Sequence, residues 1–356
     1  NVPPRSPVPR RVMVALLVAV ALLGCTADAT NEPSRCGADA NLAALDPAPD
    51  CDPLMTSRCA LPWPSSRFLI ADSASKTGFR LNFGATTLPK NFKGKHIDPS
   101  HHGHLDGFGV ATPIVLHLPG IDISEMASEL APEQSLQTDS RTLLLAVKGD
   151  KTERVPHFVE LDSGAYSAET RAMVIRPLVL LEEATRYIVA VRHAKTTDGD
   201  PLKPTQAFEA LRDCQTKGSY LEPRQARFDE IFDHLDQAGT ARTELLVAWD
   251  FVTASSEAMH GNMLQIRDKG FEVVGKKGAE LTLGKVEHFV PNNDGSGKPV
   301  HPHIALSIKG TFKVPVFVKP KQIQEYTGYE LNLDGQGVPL QNGWREADFW
   351  VRVPHG

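Results

Sequence analysis

The side chains with the most chemical potential gather just before Asp106, where His96, His101, His102 and His104 follow one another closely. Neutral imidazole nitrogens at that density suit zinc or copper, and His301 and His303 form a second group far downstream. No His-x-x-His or Glu-x-x-His spacing lies on an expected helix face. The expectation is therefore a solvated loop, with no metal and no cofactor, and these four histidines as the candidate ligands if a metal binds. Ser73-Ala74-Ser75-Lys76 matches the S-x-x-K pattern of acyl-serine enzymes, but it sits in an expected turn between strands rather than at a helix start. A serine hydrolase of the α/β type needs Gly-x-Ser-x-Gly on a strand-to-helix elbow, because that turn exposes the hydroxyl to a histidine and an oxyanion hole. The sequence has no such pentapeptide, no phosphate-binding loop and no dinucleotide fingerprint. Asn292-Asn293-Asp294-Gly295 and Asp334-Gly335-Gln336-Gly337 are acidic glycine turns, but neither completes a calcium loop, and hairpin turns are expected. Arg186, Trp249 and Asp250 could line a pocket, although an aromatic inside an apolar strand usually belongs to a core.

The elements that must position these residues read as mostly strands. Residues 67–70 and 78–83 read as strands, the second alternating with period two, and His104 to Ile114 reads as an Asp-Gly turn that delivers a strand. Further strands are expected over 141–147, 171–177 and 185–191, with a tight turn at Asp198-Gly199-Asp200-Pro201. A short helix-like close covers 204–213. Phe228, Ile231, Phe232 and Leu235 then recur at i, i+3, i+4 and i+7, which predicts a helix opened by Pro223 and stopped by Gly239. Glu244 to Val252 is nearly all apolar and predicts a strand buried on both faces. A second helix follows, capped at Thr253, Ser255 or Ser256, with Met259, Met263 and Ile266 on one side. Strands return over 281–289, 304–308, 312–318 and 347–353.

Composition narrows the function classes. With 356 residues the chain is long enough for two domains, and 41% hydrophobic with 23% charged residues is ordinary for a globular protein. A formal net charge of -5 argues against a nucleic-acid partner, which calls for a basic stripe. The 27 glycines and 27 prolines favour turns and short strands.

At the start, Arg5, Arg10 and Arg11 precede an uncharged apolar run from Val12 to Leu23, too short to span a bilayer. This reads as a secretory signal, and Leu22-Leu23-Gly24-Cys25 resembles the lipobox of bacterial lipoproteins. The resemblance implies a diacylglycerol on Cys25 after cleavage. Thr26 rather than Asp in the next position implies the outer membrane of a bacterial cell envelope. A plain signal peptide with an incidental cysteine is the alternative. Ala27 to about Pro53 has no apolar periodicity and reads as a tether. An exported chain with Cys36, Cys51, Cys59 and Cys214 is expected to hold one or two disulfides, and three pairings are open. One guess joins Cys36 to Cys51 and Cys59 to Cys214.

Pro62-Trp63-Pro64-Ser65-Ser66, an alternating strand, Leu105-Asp106-Gly107-Phe108 and Thr112-Pro113-Ile114 together resemble the N-terminal region of bacterial extracellular and virulence-factor lipases. Ser66 and Gly109 stand where Asp and Ser are commoner. Thr185-Arg186-Tyr187-Ile188-Val189 and the Asp-Gly turn after it extend the resemblance over about residues 60–210. It implies an immunoglobulin-like β-sandwich without catalytic residues, and a strand such as Asp348 to Pro354 leading into an α/β-hydrolase domain. The expected fold is mainly β, α+β overall: an immunoglobulin-like sandwich, a helical insert and a further β region. The expected divisions are a signal peptide over 1–24, a tether over 25–58, a β-rich region over 59–215, a helix–strand–helix insert over 216–275 and a β region over 276–356. The expected role is the anchoring part of a surface lipase or esterase, whose downstream hydrolase domain acts on a lipid or ester. The alternative is a self-contained surface lipoprotein that binds a partner or polysaccharide.

Overall fold

The computed structural model describes residues 36–38, 42, 50–55, 57–323 and 326–356, without the side chains of 101 and 321–327. The chain divides into two units, 1–35 and 36–356. The signal segment, Cys25 and most of the tether lie outside the described residues. The fold is mainly β, with fourteen strands and three α-helices among those residues.

A first hairpin joins β1 (Leu69–Ala71) to β2 (Phe79–Leu81), antiparallel. Its turn is set by Asp72, whose carboxylate accepts the N–H of Ala74 at 2.9 Å and pairs with Arg80. The strands β3 (Ile114–Leu116), β6 (His157–Leu161) and β7 (Met173–Pro177) form one antiparallel sheet in the order β3-β7-β6. The strands β4 (Thr142–Lys148), β5 (Lys151–Arg154), β8 (Arg186–Arg192) and β9 (Leu245–Val252) form another in the order β5-β4-β8-β9.

Every residue of β9 is buried, as its nearly all-apolar run requires. The helices α1 (Gln206–Arg212) and α2 (Gln225–Gln237) pack against β9. Phe228, Ile231, Phe232 and Leu235 of α2 are all buried, and their rings meet Phe208 of α1. Burying a side chain of that size contributes about 2 kcal/mol, so four on one stripe fix the helix. Gly239, at φ +82°, turns the chain out of the helix where a side chain would be strained. Because β9 is hydrogen-bonded to β8 in register Val189 to Trp249, this helix–strand segment is continuous with the core of the preceding sheet. The core also holds Tyr187 stacked on Phe251 and Trp249, whose indole donates to the Pro64 carbonyl at 2.8 Å.

The character of the chain changes after Ala254. The helix α3 (Ser256–Val274), capped by Ser255 on the Ala258 N–H, has no buried residue. The strands β10 (Leu281–His288), β11 (Ile304–Pro315) and β14 (Trp344–Pro354) form a three-stranded antiparallel sheet, ordered β10-β11-β14. The hairpin of β12 (Val318–Ile323) and β13 (Tyr326–Leu331) stands apart from it. The two strands expected over 304–308 and 312–318 are one strand of twelve residues up to Pro315. Gly310, the apparent break, leaves no room for a side chain: a Cβ there would clash with the Thr282 carbonyl oxygen and lie 2.6 Å from Cζ of Phe349. Between Ala254 and the end of the chain, the buried apolar side chains among the described residues are Val290, Phe317 and Pro339.

Candidate docking face of the C-terminal sheet

Cross-strand partners share a face of a sheet, so the register sorts the C-terminal sheet without further assumption. One face carries the pairs Leu306–Val353, Ile308–Val351, Gly310–Phe349 and Phe312–Ala347. On β10 the same face carries Leu281, opposite Phe312, Leu283, opposite Gly310, and Val286, opposite Ile308. The other face carries Ser307–Arg352, Lys309–Trp350, Thr311–Asp348 and Lys313–Glu346. The sheet is therefore apolar on one side and charged on the other.

The charged side is the one that has neighbours. Gly270 of α3 lies against Pro315, and Val273 and Val274 share a cavity of about 410 Å³ with Lys313 and Trp344. Lys313 pairs with Glu280 at 2.9 Å, and the guanidinium of Arg352 lies 3.8 Å from the Trp350 ring centre. The apolar side is open along its two outer strands, where Leu281 is 63% exposed and Leu283 64% exposed and Val351 and Val353 are also exposed, while Leu306, Ile308, Phe312 and Phe349 are half-buried. An apolar face left open along two strands makes this sheet a candidate interaction surface.

The residues singled out in the sequence are scattered elsewhere. His96 bonds through Nδ1 to the Leu88 carbonyl at 2.7 Å, the ring of His102 meets the Phe83 ring edge-on, and the His104 carbonyl accepts from Arg80. Among the described residues, no group of three or more His, Cys, Asp or Glu side chains is placed to hold a metal ion. Ser75 and Lys76 lie in the turn between β1 and β2, where Lys76 pairs with Glu257. Asp294 and Asp334 cap their own turns through the N–H groups of Ser296, Gln336 and Val338. The disulfides are Cys36–Cys214 and Cys51–Cys59, which corrects the guessed pairing of Cys36 with Cys51 and Cys59 with Cys214. The reason is local backbone pairing: Asp52 donates to the Cys59 carbonyl at 3.1 Å, and Gly37 donates to the Cys214 carbonyl at 2.8 Å.

Arg186 and Asp250 do come together, but as part of the core. The Asp250 carboxylate takes Arg186 Nε at 2.6 Å and Arg227 Nε at 2.9 Å, and Arg227 continues to Ser66 Oγ at 2.9 Å. Burial by itself would raise the Asp250 pKa; the charges of Arg227 and Arg186 outweigh that and hold it below the usual carboxylate range. This clamp joins β8, β9, α2 and the segment before β1.

One pair escaped the sequence reading. Ser57 Oγ lies 2.8 Å from Nδ1 of His117, whose Nε2 faces the Glu169 carbonyl at 2.8 Å. A carbonyl only accepts, so Nε2 carries the proton and Nδ1 accepts from the serine hydroxyl. The two residues are 60 apart in sequence and no motif joins them. The contact ties the Cys51–Cys59 loop to the end of β3. Compared with protein-family models, with curated proteins and with solved structures, the chain matches none.

Proposed function

We propose that this chain is the anchoring, non-catalytic part of a lipase- or esterase-like lipoprotein of the bacterial cell envelope. In this reading Cys25 carries the lipid that holds it to the outer membrane. The body from about residue 59 is an immunoglobulin-like spacer, and the C-terminal sheet seats a downstream α/β-hydrolase domain that acts on a lipid or ester. The observation that carries the reading is the contrast within 36–356: a complete core up to Ala254, then a sheet whose apolar face is open along both outer strands. A platform that holds another domain needs both features. The immunoglobulin-like part of the proposal draws on seven strands divided three and four between two antiparallel sheets. Nothing in this role calls for a cofactor or a nucleic acid.

Two measurements test it. Metabolic labelling with a fatty acid should mark the wild type and miss Cys25→Ser. Ester hydrolysis should be carried by the longer gene product through a serine outside residues 1–356, and the 356-residue chain should show background turnover. A serine-dependent rate from this chain alone would refute the non-catalytic role.

A second reading, a surface lipoprotein that binds a polysaccharide, has one feature in its favour. An open polar cleft of about 860 Å³ is lined by Glu125, Gln137, Arg141, Arg192, His193 and Glu244. Saturable binding of an acidic or neutral polysaccharide, lost on Arg141→Ala, would favour it over the first.

A further inference from the structure

We propose that the free edge of β14 pairs with the same edge of a second copy of this chain, making one six-stranded antiparallel sheet across a two-fold axis at Phe349. This goes beyond the anchoring role, because it concerns the edge of the sheet rather than its apolar face. The strand order β10-β11-β14 leaves the outer backbone groups of β14 without a neighbour over eleven residues among those described. An unprotected edge of that length is a template for another strand, and a two-fold axis is the simplest way two identical edges meet.

The sequence of β14 selects the register. Full antiparallel overlap about Phe349, the middle residue, sets Trp344 against Pro354, Arg345 against Val353, Glu346 against Arg352, Ala347 against Val351 and Asp348 against Trp350. The longest overlap is thus also charge-complementary, with the Glu346–Arg352 pair made twice by symmetry. Moving the axis to Asp348 would put that carboxylate against its own copy. Moving it to Trp350 would shorten the overlap and leave Glu346 opposite Pro354. A one-residue offset would set the apolar face of one copy beside the charged face of the other. Within one copy Glu280 pairs with Lys313, and Lys313 lies across from Glu346. Adding Arg352 of the second copy extends this to a row of alternating sign, Glu280, Lys313, Glu346, Arg352, on the charged face. On the opposite face the two apolar surfaces become one, through Phe349, Val351 and Ala347.

The test is the mass of the 356-residue chain by light scattering over a wide concentration range. The expected result is a monomer–dimer equilibrium. Arg352→Glu or Glu346→Arg alone places like charges across the axis twice and should weaken the dimer by about tenfold. The double variant Glu346→Arg with Arg352→Glu should restore it, an outcome that mere loss of the Arg352 contact with Trp350 would not give. Hydrogen exchange should slow along β14 as concentration rises. A monomer at all concentrations, or a dimer indifferent to both charge reversals, overturns the proposal. Monomeric longer gene product with β14 amides already protected also overturns it, by giving the edge to the downstream domain while leaving the anchoring role intact.

Discussion

The imidazole of His157 lies 2.9 Å from the hydroxyl of Thr142, and neither side chain is exposed at all. Nδ1 of the same ring faces the Val155 carbonyl at 2.8 Å, so it carries the proton and Nε2 accepts from the threonine. Burial with no carboxylate beside it favours the neutral ring at this site.

Acid should therefore loosen the main body through His157. Burial first, and then the nearby charge of Arg154, lower its pKa from 6.5 to about 4. The unfolded chain binds a proton as pH falls through 6.5, and the folded chain resists until about 4. The stabilisation is complete above pH 6.5 and is lost progressively between 6.5 and 4. The shift corresponds to about 3 kcal/mol. Urea midpoints measured across that window should slope steeply for the wild type and be flatter for His157→Gln. Parallel curves would remove His157 as the cause.

The Asp250 clamp should behave as a structural unit. Asp250→Asn removes the charge that balances Arg186 and Arg227 while the guanidinium groups stay largely out of water. Breaking such a buried pair costs about 3–5 kcal/mol. Arg227→Ala, at a side chain about a third exposed, should cost less, since Arg186 still balances the carboxylate. Denaturation midpoints that rank Arg227→Ala below Asp250→Asn would contradict this order.

These two sites also mark what could be read from the residues alone. The face of α2 was legible because Phe228, Ile231, Phe232 and Leu235 repeat at the helical period, and Gly239 is a local stop. The burial of β9 was legible in its apolar run. Its partner was not: Val189 meets Trp249 across 60 residues through packing that no local pattern encodes. The same holds for Ser57 with His117, and for the cysteines, whose spacing permits three pairings until the backbone around Cys59 and Cys214 chooses. Gly310 misled for the opposite reason, since a glycine that admits the Phe349 ring looks, in sequence, like one that ends a strand. The C-terminal strands were legible as strands, but whether a face of theirs is covered depends on what lies beside it.

The two disulfides should differ in worth by their loops. Cys36–Cys214 closes 178 residues and Cys51–Cys59 closes 8. Loop-closure entropy assigns about 5 kcal/mol to the first and about 2.5 kcal/mol to the second. Paired Cys36→Ser and Cys214→Ser should therefore lower the unfolding midpoint more than Cys51→Ser with Cys59→Ser. Peptide mapping of the oxidised protein should recover these two bridges; a Cys59–Cys214 peptide would contradict the structure directly.

The contrast between the two halves of the chain gives the sharpest test of the docking face. Leu145 is fully buried in β4, and Leu145→Ala should cost about 2–5 kcal/mol through lost transfer energy and the cavity left behind. Leu283 and Val351 are apolar but exposed, so Leu283→Lys and Val351→Lys should each change stability by about 0.5 kcal/mol or less. The same two variants should reduce binding of a hydrophobic reporter dye to the folded chain, because they place charges on the open outer strands of the apolar face. In a longer gene product whose downstream domain covers that face, the lysines become buried charges and the ordering inverts: the variants are then strongly destabilising, and the dye signal is already absent from the wild type. Lysines that cost several kcal/mol in the 356-residue chain would mean that this face is already packed within it, and the anchoring role would lose its main support.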